Sequence, residues 1–386
     1  MIKRSIRSAL DVSLKEYPIS IVTGPRQSGK TTLLKSLSGY RYISLEDPDI
    51  RAFAMEDARG FLQEYDDQVI MDEIQNVPSL FSYLQGLVDS SDQMGQYILS
   101  GSQNFNLMEH VTQSLAGRAD VLRLLPLDVH ELEQAELLPT TAEQFCTIGA
   151  YPAIYDRQLD ADRYYANYIR TYVNRDVTQL INIQDQSAFK RCLRICASRA
   201  GQLVNYNDMA RDVGVSHTTI RNWLSILETS YILYFLPPYF NNFGKRMIKS
   251  PKLYFYDTGL LCHLLGIRRF NLDPHHPHWG HIFENMVVTE YHKIAAHRHE
   301  DRDYWFWRDS KGHEVDLCYQ NDHSELHAVE IKASSTIKTE FFKGLNYFQN
   351  ISGLDILGRT LVYNGLQDQK RTDTRVRSWR NIRSID

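Results

Sequence analysis

Short apolar runs alternate with amphipathic stretches through the first third of the chain. ISIVT at Ile19–Thr23, RYISLE at Arg41–Glu46, QVIMDE at Gln68–Glu73 and QYILSGS at Gln96–Ser102 read as strands, with helical segments such as Leu80–Val88 between them. That alternation predicts a mostly parallel sheet with helices on both faces. The pattern turns helical over residues 160–235. Within it, Asn207–Glu228 reads as a short helix, a turn at Gly214 and a second helix after Ser216, whose hydroxyl suits an N-cap. Two strand runs around a basic loop follow as far as Tyr256. From about Gly280 the chain reads as a helix and then three strands, with turns at Ser310–Gly312 and Gln320–Ser324. The longest apolar stretch, Tyr231–Phe240, is broken by Pro237 and Pro238 and is too short to cross a bilayer.

With 386 residues, 43% of them hydrophobic and 23% charged, the chain can bury enough apolar surface for two or three folded domains. A net charge of −4 argues against a phosphate-rich partner only until it is divided by region. Residues 1–135 carry 12 Lys/Arg against 19 Asp/Glu, whereas residues 188–256 carry 10 against 3. An acidic front thus precedes a basic middle, and Lys370–Arg383 adds a second basic cluster. The five cysteines form no CxxC pair and read as buried thiols in a reducing compartment. The basic N-terminus lacks the apolar core of a signal peptide, so the expected location is cytoplasmic.

Chemistry enters directly after the first strand. Gly24, Pro25, Arg26, Gln27, Ser28, Gly29, Lys30 and Thr31 satisfy GxxxxGK[ST] and run through Thr32 into a helical segment. Glycines let the backbone wrap phosphates with its N–H groups, and the helix N-terminus adds a favourable field. Lys30 is expected on the β- and γ-phosphates of ATP, and Thr31 with Asp72 around Mg²⁺. Glu73, next to Asp72 at the end of an apolar strand, is the candidate for polarising the attacking water. Ser100 or Ser102, on the strand expected between these two elements, is placed to sense the γ-phosphate. Arg118 is a candidate finger on a neighbouring subunit's nucleotide, against the plainer reading of a local salt bridge.

GPRQSGKTT, VIMDEIQNVP, LSGSQNF and SLAGRA, in this order, resemble a bacterial and archaeal branch of AAA+ ATPases with a characteristic C-terminal region of unknown function. The resemblance continues through Gly149–Pro152, Asn174–Asp176, Pro251–Leu261 and His281–Asn285. It implies a homo-oligomer, as a ring or another assembly, because such ATPases complete their sites between subunits.

In the basic middle, Asp208–Leu227 has helix-turn-helix spacing. Met209, Ala210, Val213, Ile220, Trp223, Leu224 and Leu227 are expected inside. Ser216, His217, Thr218, Thr219, Arg221 and Asn222 are left at the leading end of the second helix, where groove and phosphate contacts are made. The loop that follows supplies Lys245, Arg246, Lys249 and Lys252. Together these segments resemble a winged helix that holds DNA largely through phosphates, although winged helices also serve as lids and protein-binding modules.

Asp316 and the pair Glu330/Lys332 lie on two neighbouring strand-like runs, and residues two apart on a strand share a face. With Glu284 from the preceding helix they could hold a divalent ion, Lys332 orienting a water. The arrangement resembles the PD-(D/E)xK nuclease fold, with Val315 in place of the motif proline. The histidine-rich run Asp273–His281 reads as a polar linker.

The expected architecture is therefore α/β throughout. An AAA+ P-loop NTPase core spans 1–135, a helical lid and winged-helix segment 136–270, and a restriction-endonuclease-like (PD-(D/E)xK-like) α/β domain 271–386. The expected function is an ATPase using ATP and Mg²⁺ to remodel or translocate DNA, with branched or junction DNA among the candidate substrates. An ATP-controlled metal-dependent nuclease and a nucleotide-switched signalling or defence assembly are the alternatives.

Overall fold

The computed structural model describes residues 1–102, 114–177, 185–239, 249–268, 271–321, 323–352 and 356–382. They divide into two compact units. The first comprises Met1–Leu127, Thr229–Tyr231 and Ala295–Glu300, and the second the remainder.

The first unit is built on β1 (Ile19–Thr23), β2 (Arg41–Ser44), β3 (Val69–Asp72), β4 (Tyr97–Gly101) and β5 (Ala119–Arg123), in the order β2-β3-β4-β1-β5. Every pairing is parallel. One face of β1, β3 and β4 contributes Ile21, Met71 and Leu99 to a core with Phe61, Leu80 and Phe81. The other contributes Val22, Ile70 and Ile98 to a second core with Leu10, Leu33 and Leu34. Burial on both faces is why these strands are almost continuously apolar. Because all five point the same way, the segments after β1, β3 and β4 emerge along one edge of the sheet.

In the second unit the helices Tyr206–Val213 and His217–Thr229 meet at Gly214, which takes the left-handed conformation (φ 80°) that glycine accepts without cost. Ser216 caps the second helix, its Oγ accepting the Thr219 N–H at 3.0 Å. The apolar side chains expected inside are buried. β6 (Leu233–Leu236) and β7 (Lys252–Phe255) then pair antiparallel. Lys245 and Arg246, in the segment between them, lie outside the described residues.

The C-terminal part of this unit carries the helix Trp279–Arg298 up to Ile294 and a six-stranded sheet of β8 (Tyr304–Arg308), β9 (Glu314–Gln320), β10 (Leu326–Lys332), β11 (Ile356–Tyr363), β12 (Gln369–Lys370) and β13 (Arg375–Ser378). β8, β9 and β10 form an antiparallel meander, while β10, β11 and β13 run parallel. The three strands expected after the helix are thus joined by three more. β11 escapes a pattern reading because Gly358 and Arg359 interrupt its apolar positions, and β12 is a two-residue exposed edge. Among the described residues no helix is long and apolar enough to cross a membrane.

Candidate nucleotide site and carboxylate cluster

The loop after β1 is held by close approach. A Cβ on Gly24 (φ 147°) would stand 2.1 Å from the Leu124 carbonyl oxygen, so only glycine fits there. Gln27 and Gly29 also take positive φ, and the helix Lys30–Lys35 starts directly behind them. Lys30 is 6% exposed, and its Nζ donates to the carbonyls of Gly24 (2.8 Å) and Pro25 (2.9 Å). Burial pushes its pKa down to about 8, against the pull of Glu73 and Asp72. The buried Ser28 hydroxyl has no hydrogen-bond partner.

Asp72 is the hub. Its Oδ2 accepts from Thr31 Oγ1 at 2.8 Å and from Tyr42 OH at 2.6 Å, and its Oδ1 accepts from Ser100 Oγ. β4 lies between β1 and β3, which is how Ser100 reaches the acid. Glu73 follows in a left-handed conformation (φ 56°), its Oε2 accepting from Ser102 Oγ at 3.2 Å and from Gln75 Nε2. The Thr31 hydroxyl and the Asp72 carboxylate are the hard oxygen donors that Mg²⁺ takes, so the residues fit that ion. Sequence reasoning missed Tyr42 and Gln75. Tyr42 reaches Asp72 only because β2 pairs with β3, and no spacing rule announces it.

Arg118 stands at the opposite end of the sheet. It precedes β5, whose first residue pairs with Ile19 and whose last pairs with Thr23, next to the loop. Its guanidinium grips Asp89 through two nitrogens, one bond measuring 2.9 Å. It is thus remote from its own chain's Lys30.

On the second helix of the pair in the other unit, Ser216, His217, Thr218, Arg221 and Asn222 are exposed and Thr219 is half-buried. Lys249 is exposed. Lys252 departs from the expected exposed, phosphate-facing role. It is 2% exposed, its Nζ donating to Glu284 Oε1 at 2.8 Å and pairing with Glu314. The reason is its position as the first residue of β7, flanked by Leu236 and Leu203, which turns it inward.

The acids of the C-terminal sheet do converge. Ligand atoms of Glu284, Glu314 and Asp316 lie within 4.8 Å of one another. Asp316 Oδ2 accepts the Ile331 N–H at 2.7 Å, and Lys332 Nζ pairs with Glu330 Oε1 at 2.5 Å. Burial and the neighbouring Asp316 push the Glu330 carboxyl up to about 8 although Lys332 opposes this. Burial likewise raises Asp316, with Lys332 opposing and Glu284 reinforcing. Glu314, which the spacing argument overlooked, belongs to the cluster because it shares the Asp316 face of β9. The Glu284 oxygen expected on a metal instead accepts from Lys252 and from Tyr254 OH (2.6 Å).

Residues 16–133 match the AAA domain, residues 140–271 a domain of unknown function, DUF8612, and residues 279–382 another, DUF4143. The chain is 30% identical over 339 residues to the uncharacterized protein Rv2008c of Mycobacterium tuberculosis, covering 86% of this chain and 74% of the relative. It is 21% identical over 322 residues to the uncharacterized protein MJ1637 of Methanocaldococcus jannaschii, covering 69% and 67%. Among solved structures it is similar to the Walker-type ATPase paby2304 of Pyrococcus abyssi (14% identity, TM-score 0.45, 68% of this chain and 96% of that one). AMPPCP-bound DnaA from Aquifex aeolicus is a further similar structure (16% identity, TM-score 0.29, 58% and 85%).

Proposed function

The chain belongs to the family of AAA-domain ATPases that carry a DUF4143 domain, and from that premise we propose that it hydrolyses ATP with Mg²⁺ in a homo-oligomer and uses the turnover to remodel or translocate DNA. The observation that carries the reading is the junction at Asp72. There one carboxylate is tied to the hydroxyl of the phosphate loop (Thr31) and to the serine of the intervening strand (Ser100), with Glu73 next in the chain. In this reading the N–H groups of Gly24–Thr31 and the Lys30 ammonium bind and orient the triphosphate. Thr31 and Asp72 would hold the Mg²⁺, which when bound would neutralise charge on the phosphates. Glu73 orients and polarises the attacking water, with Ser102 and Gln75 fixing its carboxylate. Ser100 and Ser102 link that end of β4 to the γ-phosphate, and Arg118 serves a neighbouring subunit's nucleotide.

The DNA partner is supported by the basic balance of residues 188–256 and by the exposed leading end of the helix His217–Thr229. Its contacts are of the phosphate type, so affinity comes with little sequence preference. In this reading the helix pair with β6 and β7 acts as a winged helix.

The test is ATP turnover of the full chain with and without duplex, single-stranded and junction DNA. Turnover is expected to disappear in Lys30→Ala and Glu73→Gln and to rise with at least one DNA form. Turnover that persists in both variants removes the ATPase assignment, and a rate indifferent to every DNA form removes the remodelling role.

A further inference from the structure

The resemblance to a metal-dependent nuclease fold implies a divalent ion among Glu284, Asp316 and Glu330, and the side chains present do not fit one. The place that an ion bridging Glu284 and Glu314 would take is filled by the Lys252 ammonium, which touches an oxygen of each. Further oxygens of the cluster are engaged as well. Glu284 Oε1 also accepts from Tyr254 OH, Glu314 Oε2 pairs with Arg308 at 3.1 Å, and Asp316 Oδ2 accepts the Ile331 N–H. Glu330 Oε1 is held by Lys332. Its other oxygen, buried and without a hydrogen-bond partner, faces Gly344, where even a Cβ would stand 2.9 Å from it. Four carboxylates therefore meet three cations of the chain itself, Lys252, Arg308 and Lys332. A buried charge must be paired, and a buried acidic cluster must recruit an ion from solvent or contain its own.

We infer that Lys252 is the resident cation of this cluster, standing among the Glu284, Glu314 and Asp316 carboxylates in the place a bridging divalent ion would take, so that the C-terminal domain keeps these acids together without metal. β7 thereby docks onto the C-terminal sheet through an ion pair, and the domain does not cut phosphodiesters in a metal-dependent way. The inference is independent of the ATPase reading, and its test is made without nucleotide.

The test is Mn²⁺ binding to the full-length, nucleotide-free protein, followed by the loss of the free-ion electron paramagnetic resonance signal. Wild type, Lys252→Met, Lys252→Arg, Asp316→Asn and the Lys252→Met/Asp316→Asn double variant are compared. Removing the ammonium is expected to create one site at least ~10-fold tighter than any wild-type uptake, absent in Lys252→Arg and lost again in the double variant. If Lys252→Met is too unstable to titrate, Mn²⁺ is expected to raise its Tm while leaving that of wild type unchanged. The inference is overturned if wild type already binds Mn²⁺ in a manner that Asp316→Asn abolishes. It is equally overturned if folded Lys252→Met takes up no ion, or if wild type cuts DNA with Mg²⁺ or Mn²⁺ and Asp316→Ala does not.

Discussion

The Arg4 guanidinium donates to the main-chain carbonyl of Ser28 at 2.6 Å, and through its other terminal nitrogen to that of Leu125, also at 2.6 Å. An arginine near the N-terminus is thus bound to the phosphate loop and to the chain just beyond β5. It is 7% exposed, and hydrogen bonds from a buried charged group are worth about 1.5–3 kcal/mol each. Arg4→Ala is expected to lower the unfolding free energy by about 2–4 kcal/mol, seen as a lower denaturant midpoint at constant slope. It should also weaken ATP binding, because the loop loses a fixed carbonyl. Arg4→Lys should recover only part of both, since an ammonium cannot fork between two carbonyls. Unchanged nucleotide affinity in a folded Arg4→Ala protein refutes the link to the loop.

Lys30 is expected to make nucleotide affinity depend on pH. Burial depresses its pKa to about 8, so above that pH the nucleotide-free protein increasingly carries a neutral amine. Triphosphate favours the ammonium and raises the pKa in the complex. Binding should therefore take up a proton from about pH 8 up to the pKa of the complex, with affinity falling by up to about tenfold per pH unit in that window and flat below it. Calorimetry near pH 9 in two buffers of different ionisation enthalpy measures the uptake directly. Lys30→Arg, charged throughout, should show none.

What could be read from the chain was what lies close together along it. The phosphate loop is contiguous, Asp72 and Glu73 end one apolar strand, and the helix pair around Gly214 follows a local turn rule. Tyr42 and Arg4 were illegible because their contacts come from sheet order and chain return, which no spacing encodes. Lys252 was misread for a different reason. Among Lys245, Arg246 and Lys249 it counts as one more loop cation, and only the pairing of β7 with β6 turns it inward onto Glu284 and Glu314. Charge counting along a segment gives the sign of a surface but not which of its members is on that surface.

Glu73 should be separable from its supports. Ser102 donates to its Oε2 at 3.2 Å, and Gln75 donates to the same oxygen. Ser102→Ala is expected to slow turnover by about 10-fold while leaving the nucleotide Kd within about twofold, the mark of a group positioned for the transition state. Ser100→Ala removes a partner of Asp72 instead, so its defect should shrink as Mg²⁺ is raised. Steady-state rates across a Mg²⁺ series distinguish the two. Equal, Mg²⁺-independent defects would mean that both serines act only on the packing of β4.

Arg118 and Asp89 offer a test of trans action. They pair on the exposed surface at the start of β5, away from the same chain's phosphate loop. If Arg118 reaches a neighbour's nucleotide, Arg118→Ala should lower turnover by about 10³-fold or more, the scale of an arginine finger. Asp89→Asn, which frees the arginine, should leave turnover intact or raise it. Mixing Arg118→Ala with Lys30→Ala protein should then restore part of the activity, because each supplies what the other lacks. No recovery, with both variants oligomeric, reduces the pair to a surface salt bridge.

Arg221 decides whether the helix His217–Thr229 meets phosphates. It is exposed near the leading end of that helix, whose opposite face is anchored by Ile220, Trp223 and Leu224 in the core. A phosphate contact releases counterions, so log K falls with log salt by about 0.9 per contact for duplex DNA. Arg221→Ala should therefore weaken binding to unrelated duplexes by a similar factor and flatten the salt slope by about one unit, with no change in Tm. Electrophoretic titrations at three salt concentrations supply both numbers. A uniform loss of affinity with the slope unchanged would move the contact away from Arg221, and a loss confined to one sequence would make it a base contact instead.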